Sequence, residues 1–265
     1  MARVLITGCS TGFGRAAAIE LTARGHDVVA TARKPEVLED LDVAARLALD
    51  VDDDAAVAAA VAAAGDIDAL VNNAGFGVIG PVELVPLAEG RRGMETNFFG
   101  TVRMIQAVLP AMRARGSGSI VNVTSIAARV APPFDGFYSA SKFAVEGLSE
   151  ALHYEVGHFG IRVRLIEPGR FDTGFHGNIA GFGADRPPYD ELARQWEAAR
   201  GRLPGGSHPP GPEAVGVAIA DAVESTEPQL RWPVGADVEM VMAARASSTD
   251  EEFEALMRGT LGLTW

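Results

Sequence analysis

The chain has 265 residues, 48% of them hydrophobic and 22% charged, with a net charge of -12 and no dense run of lysine or arginine. That composition belongs to a folded globular protein, and the acidic balance repels nucleic-acid phosphates and anionic lipid headgroups, so neither nucleic acid nor membrane is an expected partner. One cysteine permits no internal disulfide, no apolar run reaches 18 residues, and MARVLITG turns into a glycine loop too soon for a leader, so a cytoplasmic protein is expected.

In chain order, β-branched runs predict buried strands at 4–6, 28–30, 69–71, 120–123 and 163–166, each separated by a helical pattern. Strand and helix in alternation predict an α/β fold: a doubly wound parallel sheet between two helical layers, in one domain over 1–265. After the first strand, VLITGCSTGFG carries Gly8, Gly12 and Gly14 into the start of a helix. Such a loop turns sharply and aims free N–H groups and a positive helix end at a phosphate, although its G-x-x-x-G-x-G spacing departs from G-x-G-x-x-G. Cys9 inside it reads as a small packing residue. The second strand ends VVATARK, with Arg33 and Lys34 where an enzyme preferring NAD places an acid, so a 2′-phosphate and NADP(H) are expected.

The alanine-rich DDDAAVAAAVAAAG reads as a capped scaffold helix, with its acids at the start and Gly65 at the end. The strand GSIVNVTS brings Ser125 to the carboxyl edge of the sheet, where open α/β folds bind ligands. Then GFYSASKFAVEG sets Tyr138 and Lys142, one of only two lysines, at i and i+4 on one helix face. An ammonium about 5 Å from a phenol is expected to lower the tyrosine pKa by roughly two units and ready it for proton transfer. Residues 174–212, rich in Gly and Pro around a short helix with Trp196, read as a substrate lid. The five histidines show no metal-ligand spacing, so no metal is expected.

Together these motifs resemble the short-chain dehydrogenase/reductase family over about residues 2–175, in its single-domain branch with a Rossmann fold. The TGxxxGxG loop is matched by Thr7–Gly14, including Ser10, Thr11 and Phe13, and the NNAG segment by Asn72, Asn73, Ala74 and Gly75. The resemblance implies a catalytic tetrad of Asn97, Ser125, Tyr138 and Lys142, adenine contacts at Asp50 and Val51, and a nicotinamide segment at Pro168, Gly169 and Thr173. The basic residue that some NADP enzymes of the family carry before the middle glycine is Thr11 here, so NADP selection rests on Arg33. The same resemblance implies an NADP(H)-dependent carbonyl reductase or dehydrogenase, a homodimer or homotetramer, with Tyr138 as general acid/base. A non-catalytic NADP(H) sensor or scaffold of the same fold is the alternative.

Phe76, Val78, Ile79, Val130, Pro133, Phe134, Phe137, Phe171, Phe175 and Phe182 are expected to line an apolar cleft. The wording around NNAG and YSASK is similar to members acting on steroids, retinoids and other bulky lipophilic carbonyls or alcohols. Trp232, in a segment that resembles the family's last strand, is expected in the core or an interface.

Overall fold

The structure, a computed structural model, describes residues 1–173, 179–204 and 208–264. Its first strands and helices follow the alternation read above except for an added strand, β3, with no α-helix between it and β2: β1 (Arg3–Ile6), α1 (Gly12–Ala23), β2 (Asp27–Ala32), β3 (Ala45–Ala48), α2 (Asp54–Ala64) and β4 (Ala69–Asn72). After a short strand β5 (Gly77–Ile79) come α3 (Leu87–Met94), α4 (Gly100–Arg115), β6 (Gly118–Val123), α5 (Gly136–Val156) and β7 (Ile161–Pro168). The last part contains β8 (Ile179–Gly181), α6 (Asp190–Arg200), α7 (Glu213–Glu224), β9 (Arg231–Val234), α8 (Ala236–Ala246) and α9 (Asp250–Leu261).

Seven strands form one parallel sheet in the order β3-β2-β1-β4-β6-β7-β9. Both faces are covered, as the continuous apolar strands require. Val4 and Ile6 of β1 join Val28, Leu21, Val215 and Ile219 in one core, on the α1 and α7 side. Leu5 points the other way, with Val29, Val57, Met104, Ile120 and Leu152, on the α2, α4 and α5 side. Strand order reverses between β1 and β4, which opens a crevice at their carboxyl ends.

Four strands lie outside the β-branched pattern, and of these only β9 was expected, from the resemblance. β3 is half exposed and alternates too weakly to be read, while β5 and β8 are three residues each and pair only with one another. The alanine-rich helix forms as expected, with Asp53 accepting from the amides of Ala55 at 2.7 Å and Ala56 at 3.0 Å and Gly65 ending it. Trp232 packs on the α1-side core from β9, and Cys9 is fully buried. Burial pushes the Cys9 thiol up to about 12, so it stays an inert packing residue.

Candidate active site

The glycine loop is shaped as a cradle. Gly8 and Gly12 adopt φ of 73° and 61°, in the left-handed region that favours glycine. A Cβ on Gly14 would stand 2.6 Å from the Gly8 carbonyl oxygen and on top of the Asn73 amide, so only glycine lets this turn close. Asn73 Nδ2 donates to the carbonyls of Thr7 and Gly8, at 2.9 and 3.0 Å, while Thr7 Oγ1 accepts from the amides of Asn73 and Ala74. Thr7 thus ties the NNAG turn to the loop, and the two motifs meet across the β1/β4 crevice. The residue before α1, Thr11, makes no side-chain cap, which leaves the first amides of α1 open to an anion.

These groups form one end of a cleft of about 890 Å³. Gly8, Ser10, Thr11, Gly12 and Phe13 line it, with Arg33, Asp50, Val51, Asn73, Ala74 and Gly75. Gly14 lies beneath, buried against Asn73. The exposed Arg33 guanidinium makes no hydrogen bond or ion pair with the described residues. Pro168, Gly169 and Thr173 close the same wall. A loop of free amides, an unengaged arginine and a cleft of this volume fit a dinucleotide.

At the other end the tetrad residues converge. The Tyr138 hydroxyl is hydrogen-bonded to Ser125, whose Oγ accepts from the Ala127 amide at 3.1 Å. Lys142 is 6% exposed and donates from Nζ to the Val123 carbonyl at 3.0 Å. Asn97 sits in a π-helical turn, Glu95–Phe99, which bulges the run between α3 and α4 and turns its side chain inward. Its Oδ1 accepts from the Phe76 amide and its Nδ2 donates to the Phe76 carbonyl, both at 3.0 Å, and to Ser141 Oγ at 2.9 Å. Ser141 donates on to the Tyr138 carbonyl at 2.7 Å, so Asn97 is tied to the helix that carries Tyr138 and Lys142.

The electrostatics differ from expectation. Lys142 Nζ lies 5.8 Å from the Tyr138 ring centroid, close to the expected separation. The phenol nevertheless rises to about 12, because burial outweighs the Ser125 hydrogen bond and the carboxylate of Asp135 adds to the rise. Burial also drops Lys142 to about 8, which weakens the hold of its own charge near neutral pH. The pair therefore favours a protonated Tyr138.

The sequence pattern of the short chain dehydrogenases matches residues 2–181. The chain belongs to the short-chain dehydrogenase family. It is 41% identical over 251 residues to the 3-ketodihydrosphingosine reductase of Bacteroides thetaiotaomicron, covering 92% of this chain and 91% of that one. Human retinol dehydrogenase 8 is 37% identical over 247 residues, 86% of this chain and 79% of that protein. A short chain dehydrogenase from Burkholderia cenocepacia J2315, solved in complex with NADP, superposes with a TM-score of 0.78 at 30% identity, over 100% and 98% of the two chains. A 3-ketoacyl-(acyl-carrier-protein) reductase from Brucella melitensis complexed with NADH gives 0.74 at 27%, over 88% and 97%. The chain is accordingly an oxidoreductase of the CH–OH/C=O pair with a nicotinamide cofactor.

This short-chain dehydrogenase carries a less uniform substrate wall than its sequence promises. Phe76, Ile79, Val130, Phe134 and Phe171 do line the cleft, joined by Pro132, Ile179, Ala193, Trp196 and Leu203. Val78 and Phe137 do not: Val78 is buried against Gly93, and the Phe137 ring packs over Gly90, since one helical step from Tyr138 turns it away from the cleft. Pro133 and Phe182 are also outside the lining, and Phe175 lies outside the described residues. Among the lining residues are Asp135, Glu197 and Arg200, so the cleft holds charge as well as apolar surface.

Asp135 is invisible to sequence reasoning because an aspartate before a helix normally caps it. Here it makes no capping hydrogen bond, and burial pushes its carboxyl up to about 6 against the pull of Arg200. Asp237 is hidden too: from α8 it accepts from the Arg170 amide at 2.8 Å and fills the space over Gly169, steadying the PG turn. No local motif marks it, because the contact spans 67 residues. Among the described residues, no group of three His, Cys, Asp or Glu side chains is arranged to hold a metal, and no helix is long and apolar enough to cross a membrane.

Proposed function

We propose that the chain is an NADP(H)-dependent carbonyl reductase working on bulky, largely apolar ketones or aldehydes, or on the secondary alcohols in reverse. The observation that carries this reading is the Ser125–Tyr138–Lys142 cluster, half-buried at Ser125 and Tyr138 and buried at Lys142, facing a cleft whose far end presents Arg33. Asn97, Ser125, Tyr138 and Lys142 are the catalytic residues in this reading, and the glycine-loop, Asp50, NNAG and Pro168–Thr173 positions bind cofactor. The bound nicotinamide supplies or accepts the hydride.

Tyr138, held protonated far above neutral pH, donates its proton to the carbonyl oxygen as negative charge develops there. Ser125 offers a second hydrogen bond to the same oxygen and holds the phenol in line. Lys142 has three donors and spends one on Val123, so the others serve a ribose hydroxyl. Asn97 keeps the tetrad helix in register with the Phe76 strand edge and anchors the water of a proton relay. Arg33 favours the 2′-phosphate by a bidentate grip. Residues 174–212, of which 174–178 and 205–207 lie outside the described residues, act as the substrate lid of one domain spanning 1–265, with Trp196 of α6 on the cleft wall in support. We place the enzyme in the cytoplasm as a homodimer or homotetramer.

The test is NADPH oxidation by wild type and by Tyr138→Phe against a panel of long-chain, cyclic and aromatic ketones. Wild type turns over the apolar members, and the variant binds NADPH yet loses about 10²–10⁴-fold in kcat. A variant with near-normal turnover, or a preference for small polar sugars, overturns the reading.

A further inference from the structure

β7 leads from the cleft to a second, separate cavity. Its last residue, Pro168, lines the cleft; its first four, Ile161–Arg164, line a cavity of about 270 Å³ under the C-terminal end of α5 and the turn 226–229. Arg162 and Arg164 stand two residues apart on one face of the strand. Arg164 is only 1% exposed and donates from Nη2 to the carbonyls of Ser225 and Glu227, at 2.6 and 3.1 Å. Three nitrogens here are buried with no hydrogen-bond partner among the described residues: Nε of Arg162, Nε of Arg164 and Nδ1 of His153.

Charge makes the arrangement more unusual. Among the described residues no carboxylate forms an ion pair with either guanidinium, and the exposed Glu227 at the rim contributes only its carbonyl. Burial and the neighbouring Arg162 pull Arg164 down to about 10. A buried guanidinium beside a half-buried one, with no described carboxylate paired to either, is costly to hold. The chain has acid to spare, at a net charge of -12, yet the one carboxylate side chain among the described residues of this lining, that of the exposed Glu227, forms no ion pair with either arginine.

We propose that this cavity is an oxyanion site, in which Arg162, Arg164 and His153 bind inorganic phosphate or the terminal phosphate of a phosphomonoester. A tetrahedral dianion accepts from several directions at once, matches the planar guanidinium fork, and neutralises both arginines. His153 contributes as its Nδ1–H tautomer. The site lies at the amino end of the strand, apart from the cleft, so it does not depend on the assignment of the tetrad.

Inorganic phosphate titrated calorimetrically into Arg33→Ala protein tests it, that background removing the free guanidinium of the cofactor cleft. Saturable binding is expected, weakened about tenfold by adding Arg162→Gln, as one charge-assisted contact is lost. Arg162→Lys, which keeps the charge without the fork, falls between. The His153 ring ¹⁵N resonance follows the same isotherm. Methyl phosphate binding as tightly as phosphate identifies an ester as ligand, and much weaker methyl phosphate binding identifies the free anion. No saturable binding up to about 20 mM, equal affinity in Arg162→Gln, or a silent His153 resonance overturns the proposal. So does an Arg162→Gln protein whose assembly state changes while its phosphate binding does not.

Discussion

Replacing Lys142 by methionine separates the energetic cost of the site from its use. The ammonium is 6% exposed and its pKa falls from the ordinary 10.5 to about 8 through burial alone. Below pH 8 the lysine is charged in both folded and unfolded protein, and the folded state bears the full penalty. The difference of about 2.5 units corresponds to about 3 kcal/mol. Methionine removes that penalty but leaves the Val123 carbonyl without its donor, at a cost of about 1–2 kcal/mol. Cofactor-free Lys142→Met is therefore expected to be about 1–2 kcal/mol more stable than wild type at pH 7, while losing turnover. Between pH 8 and 10.5 the unfolded lysine holds more proton than the folded one, so wild-type stability rises with pH and the advantage of the variant reverses. Urea unfolding of both proteins at pH 7 and pH 10 measures it. A stability gap that stays the same at the two pH values refutes the reasoning, because it shows that burial of the charge costs nothing.

The raised phenol gives a directional test of its own: alcohol oxidation is expected to climb steadily with pH, since it needs the phenolate of a group near 12, while any fall in carbonyl reduction near pH 8 reports the loss of charge on Lys142. An oxidation rate that levels off near pH 8 would count against Tyr138 as the base. Arg33→Ala should raise KM for NADPH about tenfold or more with little change for NADH, read from initial rates with each cofactor. Asn97→Ala strands the Phe76 amide and carbonyl and removes the donor to Ser141 Oγ, which keeps its bond to the Tyr138 carbonyl, and is expected to destabilise the protein by about 2–4 kcal/mol in denaturant titration. A loss under 1 kcal/mol would mean that these bonds do not hold the π-turn.

Local chemistry decided a great deal. Glycine at three loop positions, an arginine in place of an acid after β2, and a tyrosine and lysine one helical turn apart are statements about backbone freedom, charge and helix periodicity, which the chain carries wherever it folds. Buried strands announce themselves by apolar β-branched runs, so the central sheet was legible and its half-exposed edge strand was not. What only the tertiary structure decided is the environment of those residues. Periodicity puts Lys142 beside Tyr138, but how deeply both are buried depends on strands and loops more than a dozen residues away, and burial reversed the expected shift of the phenol. No motif marks Asp135 as a cleft carboxylate; Asp237 reaches the PG turn from α8; Arg162 and Arg164 look like ordinary strand residues until α5 and the turn before β9 close over them. Desolvation is a property of everything packed around a group, and sequence proximity does not encode it.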